Sequence, residues 1–115
     1  MFLVYIQAMS TTEIRETPWK VNLTRKAAKQ ANNLPEAIND ILYFLKGELE
    51  QEGPIQPEWH HYGKLAGKKR EYHHCHLNKG KPRYVAIWVV ESRKEKILEI
   101  CFAGTHENVN YRQYK

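Results

Sequence analysis

Five of the six histidines of this 115-residue chain fall in one basic run, Trp59 to Arg83: His60, His61, His73, His74 and His76. Imidazole titrates near neutral pH, so a group of histidines beside a bound substrate can take and give protons. The same run carries Lys64, Lys68, Lys69, Arg70, Lys79, Lys81 and Arg83, and Glu71 is its only acid. From Trp59 to Lys94, nine Lys and Arg stand against Glu71 and Glu91, a net of +7 in a chain of formal charge +5. The remainder is therefore slightly acidic. Clustering of this kind suits a polyanion: a nucleic acid, the ribosome or an acidic protein surface. Gly63 and Gly67 make Lys64, Lys68, Lys69 and Arg70 a mobile basic loop fit to clamp phosphate. Arg83, with its bidentate fork, suits the same task.

Each of these residues also has a plainer reading. A basic surface can be merely solvated, and a single strand histidine is often just a tolerable half-exposed residue. Zinc is a further alternative, because five histidines and Cys75 lie within 17 positions, His60 to His76. Their spacing is not that of a standard finger, and the neighbouring lysines disfavour a cation. The expectation is no metal and no cofactor. Cys75 and Cys101 have no CxxC partner and read as small residues of a core or sheet, which suits a cytosolic protein.

The elements that must position these groups follow from periodicity. Trp19 to Leu23 alternates and reads as a half-buried strand. Thr24 is a good N-cap for a short helix to Asn33, with Ala27, Ala28 and Ala31 on one face. Pro35 opens a longer helix with Leu34, Ile38, Ile41, Leu42, Leu45 and Leu49 at helical spacing, and Gly53-Pro54 ends it. Arg70 to Leu77 alternates, NKGKP makes a turn, Arg83 to Glu91 is continuously apolar, and Lys96 to Ala103 is a last strand. The expected fold class is α+β: a helical hairpin packed on a small twisted sheet with an antiparallel three-strand meander.

Alternation places Cys75 and Leu77 with His73 on the core face, leaving Tyr72, His74 and His76 on the open one. His106 has the parity of Leu98, Ile100 and Phe102, so it reaches the open face only if Gly104 breaks the last strand. Asn110, Tyr111 and Arg112 follow within two turns of a helical tail, fit to stack on a base or touch phosphate.

Length and composition bound the rest. The chain is long enough for one core, and 42% apolar with 27% charged residues excludes global disorder. No apolar run is long enough to span a membrane. Met1 to Met9 is apolar but lacks a basic n-region and a convincing cleavage site, so it reads as an extra edge strand or an upstream extension. The expected organisation is an N-terminal extension over 1–18 and a single domain over 19–115.

In order and spacing, Asn33-Leu34-Pro35, Lys64-Leu65-Ala66-Gly67, His76-Leu77, Arg83 to Val90 and Gly104-Thr105-His106 resemble the RelE/ParE superfamily of toxin–antitoxin toxins. The likeness is greatest to its YafQ- and HigB-like branch of mRNA interferases. It spans Trp19 to Tyr111, and GTH is its sharpest element. The resemblance implies a RelE-like domain and a cytoplasmic endoribonuclease that cuts mRNA in the ribosomal A site, the 2′-hydroxyl attacking the adjacent phosphate. It implies a cognate antitoxin, the ribosome and mRNA as partners, with operator DNA contacted through the antitoxin complex, and no membrane. His106 matches the family's C-terminal catalytic histidine and His76 the one ending the second sheet strand. His61 is a looser match to a histidine before the L-x-G element. The acid that often follows the strand histidine is replaced by Asn78 and Lys79, and Tyr111 stands one position off the C-terminal aromatic.

The catalytic set is therefore expected to be His76, His106, His74 and Arg83. RNA and phosphate contacts are expected from His61, Lys64, Lys68, Lys69, Arg70, Lys81, Tyr111 and Arg112. Two other functions fit the same scaffold: a ParE-like gyrase poison that needs no histidines, and a degenerate module that only binds antitoxin.

Overall fold

The computed structural model of the chain describes residues 18–66 and 69–114. The N-terminal extension expected over 1–18 thus lies, Pro18 apart, outside the described residues, as do Gly67, Lys68 and Lys115. The described elements run β1 (Lys20–Leu23), α1 (Arg25–Asn32), α2 (Glu36–Glu52), β2 (Gly63–Lys64), β3 (Tyr72–His76), β4 (Tyr84–Ser92) and β5 (Ile97–Thr105). Two 3-10 turns follow, His106–Asn108 and Tyr111–Tyr114. No helix among the described residues is long and apolar enough to cross a membrane.

The helices form where capping and stripe agree. Thr24 Oγ1 accepts the Ala27 N–H at 3.1 Å, which caps α1. Asn39 Nδ2 donates to the Ala31 carbonyl at 2.6 Å and ties the two helices together. In α2, Ile38, Leu42, Leu45 and Leu49 are buried, and each leucine contributes about 1.5–3 kcal/mol by leaving water. Gly53 ends α2 at φ 90°, and a Cβ there would lie 2.8 Å from Trp19 Nε1, so both backbone and space require glycine.

Among the described residues the sheet has five strands, in the order β1-β5-β4-β3-β2. The expected antiparallel meander is its β3-β4-β5 portion, with the apolar strand β4 at the centre. β1 pairs parallel to β5, with Val21 opposite Leu98, so α1 and α2 belong to the crossover that returns the chain to the sheet. β2 was not expected: Gly63 and Lys64 pair with His74 and His73, so this part of the basic loop is an edge strand rather than mobile. Its hydrogen bonds to β3 outweigh the freedom of Gly63.

Both faces of the sheet are covered. Under the helices lie Cys75, Leu77, Ala86, Trp88, Leu98 and Ile100. The opposite face packs Tyr72, Val85, Ile87, Val89 and Phe102 beneath Tyr114, with Tyr111 and Val109 at the margin. The C-terminal 3-10 turns thus cover part of the open face, Tyr114 against Tyr72 and Tyr111 against His74 on β3. A strand buried on both sides reads as a continuous apolar run, which is why β4 shows no alternation.

β5 departs from the expected phase. Ile87 pairs with Phe102 and Trp88 with Ile100, leaving Cys101 as an extra residue in a β-bulge. The bulge reverses the alternation, so Phe102 packs on the open face instead of beside Leu98 and Ile100. Gly104 does not break the strand, which continues to Thr105. A Cβ at Gly104 would lie 3.1 Å from the Phe102 ring, as expected for two residues sharing one face.

Candidate functional site

β3 carries three histidines in opposite environments. His73, 1% exposed, points under the helices and shares a three-ring cluster with Tyr62 (5.8 Å between centroids) and Trp88 (6.0 Å), which are 6.2 Å from each other. Its Nε2 is 2.7 Å from the Glu71 carboxylate, which can only accept, so Nε2 carries the proton. Its Nδ1, 2.8 Å from the Tyr62 hydroxyl, then accepts from that group. Glu71 also receives Arg93 at 2.5 Å. Burial lowers the His73 pKa although Glu71 opposes it. Burial works the other way on Glu71, but hydrogen bonds from Arg93 and His73 outweigh it and hold the carboxyl below its ordinary value.

His74 and His76 point to the open face, as alternation predicts. The Nδ1 atoms of both are buried without a hydrogen-bond partner. A buried polar atom left unpaired is costly, and such exceptions concentrate where a ligand is expected. The His74 ring stands edge-on to Tyr111 at 6.3 Å, and its Nε2 lies 3.2 Å from where a Cβ of Gly63 would be. A larger residue at position 63 would displace that ring.

His76 is the centre of the cluster. His61 stacks on it at 4.3 Å with 23° between planes. His60 lies at 5.9 Å and His106 at 5.6 Å, both edge-on. His106 reaches this side because the bulge restores its parity, and its N–H donates to the Arg83 carbonyl at 2.7 Å. The His60 carbonyl accepts the His76 N–H at 2.8 Å, pinning the Trp59–Tyr62 loop to β3. His61 has a φ of 53°, a left-handed conformation that costs a β-carbon residue of order 1 kcal/mol or more and is characteristic of functional sites.

The electrostatics follow from this crowding. Burial pushes His76 down to about 4, helped by His61, His106, Arg83 and His60. His74 is lowered by burial, then by His61, His106 and His73. His60 is lowered by partial desolvation, then by His61, Lys79 and Arg83. His60, His74 and His76 are thus all shifted toward the neutral form, with Lys79 and Arg83 among the charges that act on them.

Two shallow pockets adjoin the cluster, one at His76 and one at His106. One, about 340 Å³, is lined by Phe44, Glu48, Glu58, Trp59, His60 and Lys79 among others. The other, about 360 Å³, is lined by Lys81, Pro82, Arg83, His106 and Glu107. Asn78 shapes the turn between them: its Oδ1 accepts the Tyr84 N–H at 2.8 Å and its Nδ2 donates to the Pro82 carbonyl at 3.1 Å.

Of the residues singled out in the sequence, His61, His74, His76, His106, Tyr111, Arg83 and Lys81 come together at this end of the sheet. Lys64 sits on the edge strand β2, close enough for its charge to act on His73. Arg70 is elsewhere, paired with Glu91 and donating to the Tyr72 hydroxyl at 3.4 Å, in a hollow with Lys26, Glu99 and Tyr114. Lys69 and Arg112 are exposed, and Lys68 lies outside the described residues. His60 and Lys79 were in the basic run but not singled out as site residues. The signals for His60 were its adjacency to His61 and its place among the candidate zinc donors.

No protein-family model and no curated protein matches the chain. Among solved structures, the chain is similar to the archaeal RelE–RelB complex from Pyrococcus horikoshii OT3. The match has TM-score 0.64 and 20% identity, and covers 79% of this chain and 98% of that one. It is also similar to a metal-bound toxin from Helicobacter pylori, with TM-score 0.59, 22% identity, and 80% and 99% coverage. Two helices on a mixed five-stranded sheet are thus the RelE-like toxin fold.

Proposed function

We propose that this protein is the toxin of a type II toxin–antitoxin system and acts as a ribosome-dependent endoribonuclease on mRNA. The observation that carries this reading is the packing of His106 and His61 around His76 on the open face, beside Arg83 and Lys81. The RelE-like fold adds to it, and a cognate antitoxin partner follows by analogy with the RelE–RelB complex. The YafQ- and HigB-like branch remains part of the proposal on its sequence motifs alone.

In the proposed reaction His76, neutral through its lowered pKa, takes the proton of the substrate 2′-hydroxyl. The 2′-oxygen forms a bond to phosphorus as the bond to the 5′-oxygen breaks, and His106 gives that leaving oxygen a proton. The products are a 2′,3′-cyclic phosphate and a free 5′-hydroxyl. Arg83 and Lys81 balance the charge that develops on the phosphorane. A phosphate beside His76 draws its pKa back toward neutrality, so the base strengthens when substrate is bound. Tyr111, between His74 and His106, offers a face on which a base can stack.

The purified protein is expected to arrest a cell-free translation reaction and leave mRNA ends detectable by primer extension. Arrest without cleaved mRNA removes the nuclease. Arrest of DNA gyrase, with toxicity intact in His76→Ala and His106→Ala, would establish the inhibitor alternative instead.

A further inference from the structure

We propose that His60, His61 and His76 form a binding site for one divalent transition-metal ion of the zinc class. Three features of the structure carry this. First, each histidine offers one ring nitrogen, and the three nitrogens lie within 4.8 Å of one another. Imidazoles sharing a tetrahedral zinc have nitrogens roughly 3.3 Å apart, given Zn–N bonds of about 2.0–2.1 Å. Rotation of the two exposed rings, His60 and His61, closes that gap without moving the backbone. Second, His76 has a buried ring nitrogen with no hydrogen-bond partner in the fold, so its polar capacity is unused. Third, the backbone is set for the cluster: the His76 N–H is bonded to the His60 carbonyl, and His61 holds a left-handed φ that places its ring on that of His76. Strain of that kind persists where the surrounding structure fixes it.

The donor set selects the ion. Three imidazoles suit zinc, copper or nickel and not magnesium or calcium, which take oxygen ligands. A three-histidine set leaves a fourth position open to water or to an anion. Lys79 and Arg83 act on the same histidines and weaken a cation's hold, while Glu58 and Glu48 line the adjoining pocket and offset part of that repulsion. The sequence disfavoured a metal because the spacing is not that of a standard finger and lysines surround it, and alternation also divides the HHCH run between two faces. The structure recruits only His76 from that run and takes its other donors from the loop.

Metal and proton compete for the lone pair of a ligating imidazole. It follows, resting on the nuclease reading above, that zinc withdraws His76 from proton transfer and inhibits cleavage.

The decisive experiment titrates the chelator-stripped full chain with zinc chloride by calorimetry at pH 7.5 and follows its melting. One equivalent is expected to bind and to raise the melting temperature, since an ion that binds only the folded state stabilises it. The His60→Ala/His61→Ala double variant changes only exposed side chains. It should melt as the wild type does without metal and lose both the heat and the shift. Absence of binding by the wild type, or equal binding by the double variant, overturns the site. In parallel, mRNA cleavage by the wild type should fall with zinc and return with chelator. Cleavage undiminished at saturating zinc refutes inhibition. If no cleavage occurs with or without zinc, the nuclease reading fails while calorimetry still decides the site.

Discussion

His73 and His76 sit three residues apart on one strand, both buried, and meet opposite conditions. His73 faces the helices with every polar atom committed: Glu71 accepts from one nitrogen and Tyr62 donates to the other, beside the Trp88 ring. His76 faces the open side with a ring nitrogen unpaired and three other histidines against it. The first arrangement is closed and serves stability. The second is open and leaves a ring nitrogen unused. The contrast shows that neither residue type nor burial separates these two histidines. Hydrogen-bond satisfaction does.

The largest expected effect lies on the open side. His106→Ala is expected to lower mRNA cleavage by about 10²–10⁴-fold while leaving the melting temperature and antitoxin binding near those of the wild type. His76→Ala should lose as much activity with only a small loss of stability, because no hydrogen bond in the fold is broken. If either variant instead melts many degrees lower with activity in proportion, the two faces do not differ in the way described.

On the helix side the effect should appear as stability. His73→Ala strands the Tyr62 hydroxyl, removes a partner of Glu71 and opens a cavity beside Trp88, a loss of about 3 kcal/mol. Thermal melting should fall by roughly 10 °C or more. Cleavage per folded molecule should not change, and a rate loss well beyond the loss of folded protein would give His73 a part in the chemistry.

Acid sharpens the same comparison. The folded pKa values of His73 and Glu71 both lie below their ordinary values of 6.5 and 4.5. For both groups the unfolded chain therefore binds the proton more readily, and the stability they contribute is present at high pH and lost as pH falls. Stability should begin to decline as pH drops through 6.5, as His73, and with it His60, His74 and His76, protonates in the unfolded state. It should decline again below 4.5, as Glu71 does. Melting curves from pH 8 to 4 check this, and Glu71→Gln should flatten the lower part. A wild type whose stability rises between pH 7 and 5 would contradict the assignment.

The smallest effect concerns the rim. Arg83→Ala should weaken ribosome or RNA binding and reduce its salt dependence by about one phosphate contact, without altering melting. An unchanged salt slope would place Arg83 outside the interface.

Much of the frame was legible because it is local. The caps at Thr24 and Gly53, the leucine spacing of α2 and the alternation of β3 are consequences of neighbouring residues, and they predicted both helices and the open-face position of His74 and His76. The boundaries shifted by only a residue or two. Three features were not legible. The Cys101 bulge reverses the phase of β5, and nothing in a period-two pattern announces an inserted residue. The pairing of Gly63-Lys64 with β3 converts part of an apparent loop into an edge strand. The C-terminal turns cover part of the open face.

By itself, then, the sequence determined which residues could do chemistry and which side of β3 they occupy, because charge, imidazole content and alternation are properties of short segments. Tertiary structure alone decided that His60 and His61 meet His76, that His106 turns toward them, and that Arg70 is spent on Glu91. Those outcomes depend on strand register, on a bulge and on where a loop is pinned. Each is a balance of contacts between segments distant in the chain, which no local pattern encodes.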